Sequence, residues 1–114
     1  MRTVNRSAVV VVPKQPFLDW LHRVDSSSGK LTLTDLGDDP SIYLLAECDL
    51  EPDLGECLKE ACVEIFEDQL NGWYRAEDQW PEDRSLGTFK LWFDYRIHSV
   101  LVDLAEEPLF AEDL

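Results

Sequence analysis

The sequence predicts a small mixed α/β (or α+β) fold, a three-stranded sheet covered by about three helices in the order β-α-β-α-α-β. Three observations carry that expectation. Two apolar runs, Ala8–Val12 and Ile42–Ala46, have the length and residue types of strands. From about 53 to 70, apolar residues recur every three or four positions, the period of a helix with one buried face. Near the end, Ile97–Leu104 alternates between apolar and polar, as a half-buried strand does. Helix-length segments between strands favour packed layers, with helices laid over a small sheet. Strand order and direction stay open, because three strands allow several arrangements.

The elements follow in chain order. Ala8–Val12 is apolar at every position and β-branched at four of five, which predicts a strand buried on both faces. Pro16 suits the first turn of a helix, where its missing N–H costs nothing. Phe17, Trp20, Leu21 and Val24 then supply a short apolar stripe. Ser26-Ser27-Ser28-Gly29 predicts a loop. One helical turn is expected at Thr34-Asp35-Leu36, broken by Gly37-Asp38-Asp39-Pro40. After the second strand, Leu54, Cys57, Leu58, Ala61, Cys62, Ile65, Phe66, Leu70 and Trp73 mark the long helix. Asp53 is placed to cap it, and Asn71-Gly72 to stop it. Residues 74–84 read as a polar and aromatic loop. A third helix carries Leu86, Phe89, Trp92 and Phe93, with Ser85 or Asp83 as its cap and Gly87 weakening it. Glu106, Glu107 and Pro108 close the last strand.

Size and composition set the frame for function. The 114 residues are expected to form one domain, 1–114, with residues 1–6 and 109–114 loosely ordered. At 45% hydrophobic, with four Trp, five Phe and three Tyr, the chain can bury a core, and wholesale disorder is excluded. Net charge is −14, unevenly distributed. Residues 1–34 hold five bases and two acids, a net of +3, whereas 35–114 hold five bases and 22 acids, a net of −17. Such a surface repels phosphate backbones, so direct nucleic-acid binding is not expected. No apolar run approaches the roughly 20 residues of a membrane span. The run Ala8–Val12 is too short for a secretory h-region, and three cysteines make an odd set. The expected compartment is the cytoplasm, with no membrane contact.

Several constellations could carry chemistry. Glu56, Glu60 and Glu64 stand at successive i, i+4 steps on the long helix, with Glu67 and Asp68 beyond, opposite its apolar stripe. Such like-charge pairs oppose an isolated helix by about 0.2–0.5 kcal/mol each. The ridge reads either as a solvated face or as a docking surface for a basic partner. His98 with Asp94 or Asp103 could serve as an acid/base set. However, no Gly-x-Ser-x-Gly elbow surrounds Ser99, and a structural histidine is the simpler reading. His22 suits the C-terminus of the first helix as a dipole cap. Cys57 and Cys62 diverge around a helix and read as core residues, so no metal site is expected. Cys48 lies between Glu47 and Asp49, which should raise its thiol pKa, the wrong direction for a nucleophile. Neither a Walker loop nor a G-x-G-x-x-G occurs, and no cofactor is expected. Trp73-Tyr74, Trp80-Pro81 and Trp92 flank a charged loop. They read either as buried anchors of that loop or as an exposed patch of interface type.

A set of these residues also resembles a known group. Val12-Pro13-Lys14-Gln15-Pro16-Phe17-Leu18-Asp19-Trp20-Leu21, Glu67-Asp68-Gln69-Leu70-Asn71-Gly72-Trp73, Trp80-Pro81, Phe89-Lys90-Leu91-Trp92-Phe93-Asp94, His98-Ser99 and Asp103-Leu104 resemble a family of small uncharacterised bacterial proteins. The resemblance covers most of the chain. It implies a compact bacterial cytoplasmic domain and assigns no activity, cofactor or functional residue.

No specific activity is legible in these residues. The leading expectation is a non-enzymatic acidic interaction or regulatory domain that binds a protein partner or itself. Its candidate contacts are Glu56, Glu60, Glu64, Glu67, Trp73, Tyr74, Trp80 and Trp92. One alternative is a small enzyme using His98 with Asp94 or Asp103. The other is an acidic mimic of nucleic acid, with carboxylates spaced like phosphates.

Overall fold

The computed structural model of the chain describes residues 1–47 and 54–114, apart from the side chains of 54 and 55. The expected cap Asp53 and the thiol of Cys48 lie outside the described residues. The elements run β1 (Arg2–Val4), β2 (Arg6–Pro13), α1 (Gln15–Val24), α2 (Leu33–Leu36), β3 (Ser41–Ala46), α3 (Leu54–Trp73), α4 (Leu86–Trp92), β4 (Phe93–His98) and β5 (Leu101–Asp103). Short 3₁₀ turns at Ser26–Ser28 and Glu77–Gln79 punctuate the loops. The fold is α+β. β2 lies between β3 and β4, antiparallel to both, and β1 pairs antiparallel with β5 in a separate ribbon.

The register sorts the sheet into two unlike faces. Val9 lies opposite Tyr43 and Ile97, and Val11 opposite Ser41 and Tyr95. This side is buried beneath α1, α3 and α4 around an aromatic cluster of Phe17, Trp20, Phe66, Phe89 and Phe93. On the other side, Val10 faces Ile42 and Arg96, and Val12 faces Asp94. Val10 and Val12 are only half-buried, and Ile42 and Leu44 are exposed. The continuous apolar run of β2 had predicted burial on both faces. The helices instead collect on one side, the usual arrangement for an antiparallel sheet in an α+β fold.

Local chemistry explains the helix ends. Pro16 sits in the first turn of α1, as its fixed φ and missing donor allow. At the other end, the Asp25 carboxylate accepts from the Ser27 backbone N–H and hydroxyl, turning the chain into the first 3₁₀ turn. Those bonds hold its carboxyl below the ordinary value. α2 begins with a capping box: Thr32 accepts from the Asp35 N–H, and the Asp35 carboxylate accepts from the Thr32 N–H at 2.8 Å. α3 does not stop at Asn71-Gly72. It runs to Trp73, and the Tyr74 N–H then donates to the Leu70 carbonyl at 2.8 Å. The extra turn delivers Tyr74 edge-on to Trp20, with ring centroids 6.5 Å apart.

Ser85 caps α4, as expected, and Asp83 braces the cap. The Asp83 carboxylate accepts from the Thr88 hydroxyl at 2.6 Å and from the Ser85 N–H at 3.0 Å. The Thr88 and Ser85 bonds pull its carboxyl down to about 2. A carboxyl depressed on folding contributes stability above its unfolded value, lost as pH falls through the folded one. Asp83→Ala should therefore melt below the parent at neutral pH, and the gap should close between about pH 4 and pH 2. Thermal melts of both proteins across that range check the point, and a gap independent of pH would refute it.

The C-terminal part departs most from expectation. Phe93 opens β4 and does not belong to α4, and the strand expected over 97–104 is two strands, β4 and β5, separated at Ser99-Val100. Phe89 and Phe93 both reach the core, ring centroids 4.9 Å apart, so helical and strand periods place them alike. That coincidence hides the alternation Phe93-Asp94-Tyr95-Arg96-Ile97-His98. Residues 2–4, expected to be loosely ordered, instead form β1, with Arg2 opposite Asp103 and Val4 opposite Leu101. The β-branched Thr3 and Val4 suit a strand. Arg2 ties the ribbon by a 2.9 Å ion pair to Asp103 and a bond to the Glu107 carbonyl.

Candidate functional site

α3 is the element that positions charge. Its buried stripe (Leu58, Cys62, Ile65, Phe66 and Leu70) fixes the rotation of the helix on the sheet. Glu56, Glu60 and Glu64 are thereby turned to solvent, one helical step of about 6 Å apart. Among the described residues, no ion pair joins any of the three to a base. Tertiary packing of the stripe overrides their mutual repulsion.

The end of α3 is tied down differently. The Tyr43 hydroxyl on β3 donates to the Asp68 carboxylate at 2.5 Å and accepts from the Gln69 amide at 2.8 Å. Burial, reinforced by the Asp68 bond, pushes the Tyr43 hydroxyl up to about 12, so it remains a donor at neutral pH. Glu67 lies 3.3 Å from the Arg84 Nε, close enough to attract it but not aligned as a hydrogen bond. A second Arg84 nitrogen donates to the Pro81 carbonyl at 2.7 Å. Glu67 thus serves to hold the loop before α4, unlike Glu56, Glu60 and Glu64.

α3 runs antiparallel to β3, since Tyr43 meets Asp68 and Gln69 while Ala46 lies by Cys57. Between them is a groove of about 370 Å³, lined by Leu44, Leu45, Ala46, Glu47, Cys57, Glu60, Ala61 and Glu64. Small and aliphatic residues share its lining with three carboxylates, and no base lines it. A second hollow, of about 500 Å³, lies on the open sheet face over Val10, Val12, Asp94, Tyr95 and Arg96. Its acid and base offset one another.

The aromatic loop is an anchored structure. Trp80 donates its indole N–H to the Tyr74 carbonyl at 2.8 Å, and Trp20 donates to the Gln79 carbonyl at 2.8 Å. Trp92 is packed against Phe17, Trp20 and Phe66. Tyr74, Trp80 and Trp92 are all partly buried against the core, and only Trp73 is exposed, at 37%. Of the aromatic residues expected at an interface, Trp73 alone presents itself, beside the end of the acidic helix.

Among the described residues, no hydrogen bond or ion pair joins His98 to Asp94 or Asp103. Asp94 and His98 lie on one face of β4, four residues and about 13 Å apart along the strand. Asp103 accepts from the Ala105 N–H and, second, from Arg2, which together hold its carboxyl below the usual range. His22 donates to the Leu31 carbonyl at 3.0 Å, bracing the loop after α1. Cys62 is buried, and burial pushes its thiol up, away from nucleophilic chemistry. Among the described residues, no group of three or more His, Cys, Asp or Glu side chains could hold a metal ion, and no helix is long and apolar enough to cross a membrane.

The groove was not legible as a site in the sequence. In the sequence Glu47 stands out only as a neighbour of Cys48, and β3 only as a strand. Their juxtaposition with Glu60 and Glu64 arises from the antiparallel run of α3 over β3. No family model, curated protein or solved structure matches the chain.

Proposed function

We infer that this chain is a non-enzymatic interaction domain whose acidic α3 face recognises a basic protein segment. The observation that carries the reading is the set Glu47, Glu60 and Glu64 around a groove that no base lines, continued along α3 by Glu56. Carboxylates held at fixed positions by a packed helix raise the local concentration of a cationic partner and orient its approach. An excess of one charge sign that the fold leaves unpaired is available to a partner. Glu67, ion-paired with Arg84, and Asp68, hydrogen-bonded to Tyr43, contribute mainly to the framework.

The test must separate this face from overall charge. An eight-residue oligo-lysine peptide serves as the probe, titrated at low and at physiological salt. Reversing Glu56, Glu60 and Glu64 to Lys should weaken its binding about tenfold or more, with a shallower salt dependence. Reversing Glu106, Glu107 and Glu112, exposed in the C-terminal segment, makes the same change in net charge. It should weaken binding only about twofold, because screening limits distant charges to roughly a Debye length of 8 Å at physiological salt. Equal losses from the two triple variants would mean that net charge alone acts, and the reading would fall.

A further inference from the structure

The two edges of the three-stranded sheet differ in a way that points to how such a partner docks. β4 forms one edge and carries Asp94, Arg96 and His98 on alternate positions, the charged protection that natural edges use against pairing. β3 forms the other edge. Ser41–Ala46 contains no charged residue and no proline, and among the described residues β2 is its only strand partner. Its open-face side chains Ile42 and Leu44 are 63% and 56% exposed. A free edge of this composition is a template for another strand. The acidic groove runs along the same edge, on the α3 side.

Resting on the acidic-face reading above, we propose that the outer edge of β3 accepts an extended basic peptide segment as an added strand. Successive residues of a strand point to opposite sides. Alternate Lys or Arg side chains of the segment reach Glu47, Glu60 and Glu64 on the α3 side. The intervening apolar side chains lie beside Ile42 and Leu44 on the open side. The recognised sequence is therefore an alternation of basic and apolar residues about six long, in which main-chain bonds supply attachment and the groove supplies selection. A second copy of this chain is a poor occupant. Its own β3 has no base, and Asp38, Asp39 and Glu47 flank that strand. Antiparallel pairing of two β3 edges would set the Asp38-Asp39 end of each copy against Glu47 of the other, on chains of net charge −14.

The test uses the full isotope-labelled chain and a capped seven-residue peptide alternating Lys and Val. Binding is read from backbone amide shifts and amide exchange at low salt. Strand addition expects the largest shifts and slowed exchange at Ser41–Ala46. It also expects at least about tenfold weaker binding when the peptide amides facing β3 are N-methylated, which keeps every side chain but removes the main-chain donors. If methylated and unmethylated peptides bind equally, with salt dependence and β3 amides unmoved, strand addition is overturned while the acidic-face reading survives. If neither this peptide nor oligo-lysine binds, both are overturned. Concentration-dependent β3 shifts without peptide, with a dimer by sedimentation, would assign the edge to a second copy and overturn the proposal.

Discussion

Phe66→Ala is expected to cost about 3–5 kcal/mol of stability, the range for deleting a fully buried phenylalanine. Phe66 lies where α3, α4 and β4 meet. Its ring centroid is 5.1 Å from Phe93, 5.4 Å from Trp92 and 6.2 Å from Phe89, the first and last of these pairs edge-on. Removing it takes away both apolar burial and the edge-to-face contacts that aromatic quadrupoles favour. The neighbours are large rings fixed by other contacts, so collapse into the cavity should be limited. For a chain of this length the loss corresponds to a fall in Tm of roughly 12–20 °C, at about 4 °C per kcal/mol. Val63→Ala, on the exposed face of the same helix, should change stability by no more than about 0.5 kcal/mol. Urea titration of the three proteins checks both figures. A Phe66→Ala loss below about 1 kcal/mol would show that α3 is not held by this cluster.

Trp20 carries the second large effect, and two substitutions divide it. Trp20→Ala should cost about 3–5 kcal/mol, since the side chain is fully buried against Phe17, Tyr74 and Trp92. Trp20→Phe keeps much of the ring contact but removes the indole donor to the Gln79 carbonyl. It should cost about 1–3 kcal/mol, the penalty for a partly buried acceptor left without its bond. The two also differ in where they loosen the molecule. The Phe variant should speed hydrogen exchange at Gln79 and Trp80, whose amides close the 3₁₀ turn at 3.0 and 3.1 Å, while β2 stays protected. Unchanged exchange at those amides would mean that the loop is held without Trp20.

Much of this was legible from residue order. Pro16 and Ser85 marked helix starts because their chemistry suits those positions regardless of the rest of the chain. The row Glu56, Glu60 and Glu64 was visible because a four-residue step lies on one side of any helix. Phe93 misled because an i, i+4 aromatic pair can reach the same core across a helix–strand junction. β1 went unseen because Arg2–Val4 is short, and its partner lies about a hundred residues away. The tryptophans were ambiguous for a different reason: an indole that anchors a loop and one that binds a partner have the same sequence signature. The bonds from Trp80 to Tyr74 and from Trp20 to Gln79 decide between them.

Residue order specified the helices and the apolar strands β2 and β3, the sign and placement of charge, and the acidic row, because these depend on local period and composition. Tertiary structure alone decided which sheet face stays open, that β3 is an edge, and that Glu47 faces Glu60 and Glu64 across a groove. The physical reason is range: helical period and capping act over three or four residues. Strand pairing and the direction in which α3 crosses β3 follow from contacts between segments far apart in the chain.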